Sequence, residues 1–205
     1  MPVRVIIADD HELFREGLKG LFQYKSDFEV AAEVSRADDV VPTLKATPHD
    51  VLLLDLQMDR WLLKEVESLA LQTSVLVLTA SERSADALTA LKLGASAVVQ
   101  KRFAFETLIE AIEAVAQKLV WIPPSLQAEI TAQWRATNDP RLTDRETEIV
   151  RLVALGKTNA EVAERLGITE GTVKTHLNNV FKKLGLRNRA ELVHHALHRD
   201  LVGRS

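Results

Sequence analysis

The chain has 205 residues, a net charge of −3 and no cysteine, which excludes a disulfide framework and any thiolate metal site. No apolar run reaches the length of a membrane span and the N-terminus lacks a secretory pattern, so a soluble, cytoplasmic protein is expected. The charge is uneven: residues 1–124 sum to −6 and residues 125–205 to +3, an asymmetry that points to two modules with different partners.

From the N-terminus, apolar runs alternate with amphipathic stretches. Val3–Ala8, Glu29–Val34, Val51–Asp55, Val75–Ala80 and Ala97–Gln100 are expected as five short strands, with helices near 11–24, 36–46, 62–71, 84–93 and 104–118. Five such units predict an α/β fold, a five-stranded parallel, doubly wound sheet covered on both faces. Ligands of these folds sit beyond the carboxyl ends of the strands. There the chain places Asp9 and Asp10 after strand one, Asp55 ending strand three, Thr79 ending strand four and Lys101 after strand five. A lone Asp at a strand end is usually a helix cap or a turn residue, but five chemistry-bearing residues at four strand ends form a pattern. Clustered carboxylates repel one another unless a cation joins them, and carboxylate oxygens suit Mg²⁺. A hydroxyl and an ammonium opposite them would suit phosphoryl oxygens.

These residues resemble the receiver domain of two-component response regulators, a flavodoxin-like fold, over residues 1–120. The matching motifs are IIADDH (6–11), LLLDLQM (52–58), LVLTA (76–80) and Lys101. The resemblance implies that Asp55 is the phosphoacceptor, a carboxylate nucleophile forming an acyl phosphate donated by a sensor histidine kinase. It implies Mg²⁺ on Asp10 and Asp55, on Asp9 through water, and on the backbone carbonyl of Gln57, with Thr79 and Lys101 holding the phosphoryl oxygens. The chain departs from the family pattern in three places. Asp59-Arg60-Trp61-Leu62-Leu63 replaces the usual Pro and Gly-containing loop after Met58, adding a fourth carboxylate beside the pocket and leaving the spacing to Thr79 short. Arg102 replaces the usual cis-Pro, which predicts a trans bond or a displaced lysine, because a cis bond here would cost about 3 kcal/mol. Val98 stands where the family's switching aromatic normally lies.

Residues 121–141 are expected to join the modules. Pro123-Pro124 would break the preceding helix, Ser125 would cap a short helix reaching about Trp134, and Asn138-Asp139-Pro140 signals a turn. Trp121 and Trp134 are expected as packing residues. The remainder, 142–205, is predicted as an all-α domain of about four helices. Thr143 with Glu146 and Thr158 with Glu161 are capping boxes, and Thr169 caps a third helix. Ile149, Val150, Val153, Ala154, Val162, Ala163, Leu166, Val173, Leu177, Val180, Phe181 and Leu184 recur at helical spacing, with Gly156 and Gly167 as stops. Two helices joined at Gly167 have the helix-turn-helix layout, whose second helix enters the major groove. That second helix would turn Gly171, Thr172, Lys174, Thr175, Asn178, Asn179 and Lys182 outward. Between Gly171 and Ala190 lie Lys174, Lys182, Lys183, Arg187 and Arg189 with no acidic residue, a basic face suited to DNA phosphates. A further helix is expected over Ala190–Arg199, where His194, His195 and His198 have a metal-compatible spacing but are more simply packed or solvated.

The motifs LTDRE, NAEVAERL, TVKTH and FKKLGLRNR resemble the LuxR/GerE-type DNA-binding domain, the output module of the NarL/FixJ response regulators. The resemblance implies Lys174, Thr175 and Asn178 at base edges, Thr169, Thr172, Lys182 and Lys183 near phosphates, and DNA-bound homodimers. Lys can donate to guanine, Asn can pair with adenine, and a Thr methyl can meet thymine. The whole is expected to be a transcription regulator rather than an enzyme, at most slowly hydrolysing its own phosphoryl group. One alternative is a phosphorylation-independent factor whose receiver is a dimerisation or ligand-sensing module. The other is a Mg²⁺-dependent phosphohydrolase; no P-loop supports it, since the glycines at 167 and 171 are wrongly spaced from Lys174-Thr175.

Overall fold

The computed structural model describes residues 1–25, 27–81, 83–102, 105–127 and 141–202, the side chains of 197–202 excepted. Two compact units emerge, Met1–Trp121 and Ile122–Ser205.

The first unit runs β1 (Val3–Ala8), α1 (Glu12–Gln23), β2 (Phe28–Val34), α2 (Ala37–Ala46), β3 (Val51–Asp55), α3 (Val66–Ala70), β4 (Ser74–Thr79), α4 (Ser84–Lys92), β5 (Ala97–Gln100) and α5 (Phe105–Ala116). All five strands pair in parallel in the order β2-β1-β3-β4-β5. The order reverses beside β1, so a crevice opens between the carboxyl ends of β1 and β3. Val51, Leu52, Leu53 and Leu54 are fully buried, as are Val75, Leu76 and Val77. A central parallel strand is covered on both faces, which is why these runs are continuously apolar rather than alternating. Each such Leu contributes roughly 1.5–3 kcal/mol relative to exposure. Leu108, Ile109, Ala111, Ile112 and Val115 of α5 pack into the same core, with Phe22 stacked on Phe28 at 5.5 Å.

One expected element is reshaped. The helix expected over 62–71 is a 3₁₀ turn, Leu63–Glu65, followed by the short α3. Leu62 donates its N–H to the Leu56 carbonyl at 2.9 Å and buries its side chain. Closing residues 56–62 into a loop takes Leu62 out of the expected helix. Trp121 bridges to Ala97 through a hydrogen bond to the Ser96 carbonyl and packs on the core, as expected.

The second unit contains α6 (Asp144–Ala154), α7 (Asn159–Leu166), α8 (Glu170–Leu184) and α9 (Arg189–Val202). Both capping boxes form. Thr143 Oγ1 accepts from the Glu146 N–H while Glu146 Oε2 accepts from the Thr143 N–H, and Thr158 and Glu161 repeat the exchange. Gly167 ends α7 at φ +64° and Gly185 ends α8 at φ +72°, left-handed positions that favour glycine. Ile149, Val153, Val162, Val173, Val180 and Leu192 are fully buried and form the centre, while Leu166, Phe181 and Leu184 are only half-buried. A helical turn at 124–127 begins at Pro124, so Ser125 lies inside it rather than capping it. Trp134 and Asn138-Asp139-Pro140 fall outside the described residues, as does the His198 side chain.

Candidate acidic pocket and nucleic-acid interface

The chain leaves β1 directly into Asp9 and Asp10, and β3 ends on Asp55, which brings the three carboxylates to one crevice. Ligand atoms of Asp9, Asp10, His11 and Asp55 all lie within 4.8 Å of one another. Asp9 is fully buried and Asp55 is 2% exposed, while Asp10 keeps contact with solvent. Lys101 Nζ sits 2.7 Å from Asp55 Oδ2 and 2.6 Å from Asp9 Oδ2. The Lys101–Arg102 bond is trans, and the lysine has nevertheless reached the pocket. Its N–H donates to the Thr79 carbonyl at 2.9 Å, fixing β5 beside β4, and its ammonium lies 4.8 Å above the Phe14 ring. Thr79 is buried at the same end of the sheet, its hydroxyl accepting from the Ser81 N–H at 3.0 Å.

Burial pushes the Asp55 carboxyl up, hydrogen bonds from Lys101 and the Gln57 N–H pull it partly back, and the Asp9 charge adds to the rise. Asp9 Oδ1 accepts from the His11 N–H at 2.9 Å. Asp9 Oδ2, fully buried, has only ionic contact with Lys101 and no hydrogen bond. One ammonium, paired with Asp9 and Asp55, in a cluster of three carboxylates leaves negative charge over, and a buried oxygen with a spare lone pair is an available ligand. An all-oxygen carboxylate set of this kind suits a hard divalent cation.

Three contributors were invisible at the sequence level. His11 Nδ1 lies 2.8 Å from Asp10 Oδ1, Arg15 donates to the Asp9 carbonyl at 2.7 Å, and the Phe14 ring lies under Lys101. All belong to α1 or the residue before it. Their signal is that a helix starting two residues after Asp10 must lay its first turn over the strand end. Asp59 corrects an expectation: it is not among the clustered carboxylates. Its Oδ1 accepts from the Ala37 N–H at 3.0 Å, at the start of α2. The N-cap of that helix, Arg36, offers no side-chain acceptor, so Asp59 is drawn to the unsatisfied amide and to the positive end of the helix dipole. Val98 is buried within β5, with no aromatic at its position.

In the second unit, Lys174, Thr175, Asn178, Asn179 and Lys182 lie exposed along α8. Val173, Leu177 and Val180 are buried on the opposite side of that helix. Thr169 caps α8, accepting from the Thr172 N–H at 3.1 Å with its hydroxyl 2.9 Å from that of Thr172. The Thr175 hydroxyl donates to the Gly171 carbonyl at 3.0 Å, which commits its proton and leaves its methyl and its oxygen lone pairs uncommitted. Lys182 has no ion pair with any described residue.

Two cations of the basic stretch turn inward. Lys183 Nζ pairs with Glu146 Oε2 at 2.6 Å, and Glu146 is 3% exposed. Burial alone would raise the Glu146 carboxyl, but the bonds from Lys183 and from the Thr143 N–H and hydroxyl outweigh it and hold the group below the ordinary carboxylate range. Arg189 donates to Asn159 Oδ1 at 3.0 Å and to the Lys157 carbonyl, tying the start of α9 to the turn before α7. Burial lowers its guanidinium to about 10, against the opposing field of Glu161. No helix among the described residues is long and apolar enough to cross a membrane.

The model of the response regulator receiver domain matches residues 5–113, and that of the bacterial regulatory proteins of the luxR family matches residues 140–196. The transcriptional regulatory protein LnrK of Bacillus subtilis is 32% identical, over 92% of this chain and 94% of LnrK. The nitrate/nitrite response regulator protein NarL of Escherichia coli is 33% identical, over 93% of each chain. RcsB from Salmonella enterica serovar Typhimurium, bound to promoter rprA in the presence of phosphomimetic BeF3−, matches with a TM-score of 0.54 at 26% identity, covering 96% of this chain and 98% of RcsB. With the receiver fold in one unit and the helix-turn-helix in the other, the chain belongs to the NarL/FixJ-type response regulators, which join a receiver domain to a LuxR-type DNA-binding domain and regulate transcription.

Proposed function

We propose that this is a cytoplasmic transcription factor switched by phosphorylation of Asp55, with a receiver in 1–120, a joining segment in 121–141 and a DNA-binding domain in 142–205. The observation that carries it is the buried Asp55 carboxylate at the end of β3, with Lys101 at 2.7 Å and Asp9 beside it. An Asp55 oxygen attacks the phosphorus of a phosphohistidine on a sensor kinase; the phosphorus–nitrogen bond breaks and an acyl phosphate forms. Asp9, Asp10, Asp55 and the Gln57 carbonyl would hold Mg²⁺, which neutralises charge between the carboxylate and the incoming phosphoryl oxygens. Lys101 would exchange its contacts with Asp9 and Asp55 for a phosphoryl oxygen, and the Thr79 hydroxyl would donate to another. Water later hydrolyses the acyl phosphate, which resets the switch without making the protein an enzyme on other substrates.

Phosphorylation must favour one state of the receiver, since a modification shifts an equilibrium only by its differential free energy. Homodimerisation on paired half-sites is the outcome we assign to that state. RcsB supports the two halves separately, one structure being bound to a promoter in the presence of a phosphomimetic and another being of RcsB dimers bound to DNA. On DNA, Lys174, Thr175 and Asn178 would read bases, while Thr169, Thr172 and Lys182 would touch phosphates. Lys183 has three donors, one already committed to Glu146, so its phosphate contact would be secondary.

Intact mass after incubation with Mg²⁺ and a small acyl-phosphate donor tests the central step, wild type beside Asp55→Asn. One phosphoryl adduct, in the wild type only, is expected. Failure of both the donor and a panel of kinases to label Asp55 would favour a phosphorylation-independent factor. The buried Val98, which removes the family's switching aromatic, is the observation on the side of that alternative.

A further inference from the structure

The loop after Asp55 carries an unusual set of ties. Asp59 accepts from the Ala37 N–H at 3.0 Å and lies 3.9 Å from the Arg36 guanidinium. Arg60 donates to Asp38 at 2.6 Å and reaches Glu65 at 3.5 Å. Two consecutive loop residues are thus strapped to the first turn of α2. The base of the loop is closed by the Leu62 N–H on the Leu56 carbonyl and by a bridge between Gln57 and Trp61. Leu56, Met58 and Leu62 are buried beneath it. Gln57, two residues from Asp59 inside this closed loop, donates its N–H to Asp55 Oδ1 at 3.0 Å.

We propose that Asp59 is a positioning residue for the cation pocket: by capping α2 it clamps the loop and fixes the Gln57 backbone against Asp55, so that a hydrogen bond outside the pocket sets affinity inside it. This rests on the reading of Asp55 and Gln57 as cation ligands. The physical basis is entropic. A loop that must also order itself when the cation arrives binds more weakly than one already held, because the ordering cost is subtracted from the binding energy. Asp59 acts through its acceptor oxygen rather than through its charge. The Arg36 contact, at 3.9 Å and half-exposed, is weak, whereas among the described residues the amide of Ala37 has Asp59 as its acceptor and no cap from its own N-cap side chain.

Substitutions that separate acceptor from charge test this. Titration of the full-length chain with MgCl₂ by calorimetry, without any phosphoryl donor, reads the pocket directly. Asp59→Ala is expected to weaken Mg²⁺ about tenfold, in the range of lost supports behind metal ligands, while Asp59→Asn, keeping an acceptor oxygen but no charge, stays within about threefold of wild type. Ala37→Pro deletes the donor from the other side. Proline is tolerated at a first helical position, and Arg36 already has the extended backbone that proline demands of its neighbour. It should reproduce the Asp59→Ala loss. If Asp59→Asn binds as weakly as Asp59→Ala, charge and not the cap sets the affinity, and the inference is overturned. Unchanged Mg²⁺ affinity in Asp59→Ala overturns it as well, while leaving the cation reading intact. A wild type that takes up no Mg²⁺ overturns both.

Discussion

Lys183→Ala separates structure from DNA contact within the basic stretch. The Glu146 carboxylate is 3% exposed and accepts three hydrogen bonds, from Lys183 Nζ at 2.6 Å, the Thr143 N–H at 2.8 Å and the Thr143 hydroxyl at 3.0 Å. Removing the lysine leaves a buried charge held by Thr143 alone. Stripping one partner from a fully buried pair costs about 3–5 kcal/mol. The Lys183 side chain is 37% exposed, so water replaces part of what is lost. A charge-assisted hydrogen bond contributes about 1.5–3 kcal/mol, and we expect a cost of about 2 kcal/mol. Hydrogen exchange of the α6 and α8 amides, resolved by mass spectrometry, reads this as local opening. A loss of that size accelerates protected amides by about thirtyfold, since 1.4 kcal/mol is a factor of ten. Lys182→Ala, one residue away and without an ion pair among the described residues, should leave exchange nearly unchanged, within about 0.5 kcal/mol.

Acid should reveal the same pair. The folded-state pKa of Glu146 lies below its ordinary 4.5, so its stabilisation is fully present above that value. It is lost as pH falls through the lowered folded pKa, and Lys183→Ala should lose less on acidification because it has less to lose. If the Lys183→Ala amides exchange no faster than those of Lys182→Ala, while the salt dependence of DNA binding flattens equally in both, Lys183 serves the phosphates and the structural assignment is wrong.

Three further outcomes follow from α8 and its entry turn. Lys182→Ala should weaken binding to all DNA sequences alike and reduce the salt slope by about 1, checked by titrations at several salt concentrations. Lys174→Ala should lose about 1–3 kcal/mol of discrimination between matched and mismatched sites; an unchanged preference in competition binding would remove it from the base-reading set. Gly167→Ala meets open space but must hold φ +64°, so it should destabilise the helix-turn-helix by about 1 kcal/mol in hydrogen exchange without a steric clash.

What the sequence revealed and what it hid divide by distance along the chain. Both capping boxes join residues three apart, so Thr143 with Glu146 and Thr158 with Glu161 stood out on spacing alone. The pocket was legible for a related reason. A strand buried on both faces reads as an unbroken apolar run, and the first polar residue after it marks the open end of the sheet, where Asp9, Asp55 and Thr79 were found. The pairs that were missed leave no such trace: Asp59 meets Ala37 across 22 positions, Arg189 meets Asn159 across 30, and Lys183 meets Glu146 across 37. Only the packing of α2 near the β3 loop, or of α8 and α9 against their neighbours, creates them. The consequence for function is specific. Five cations between Gly171 and Ala190 suggested one uniformly basic face, but Lys183 and Arg189 hold the domain together. The charge offered outward is smaller than the sequence implies and is carried chiefly by Lys174, Lys182 and Arg187. With Lys174 assigned to a base edge, a salt dependence of DNA binding that counts about four phosphate contacts per chain, rather than about two, would show that these inward pairs open on the duplex.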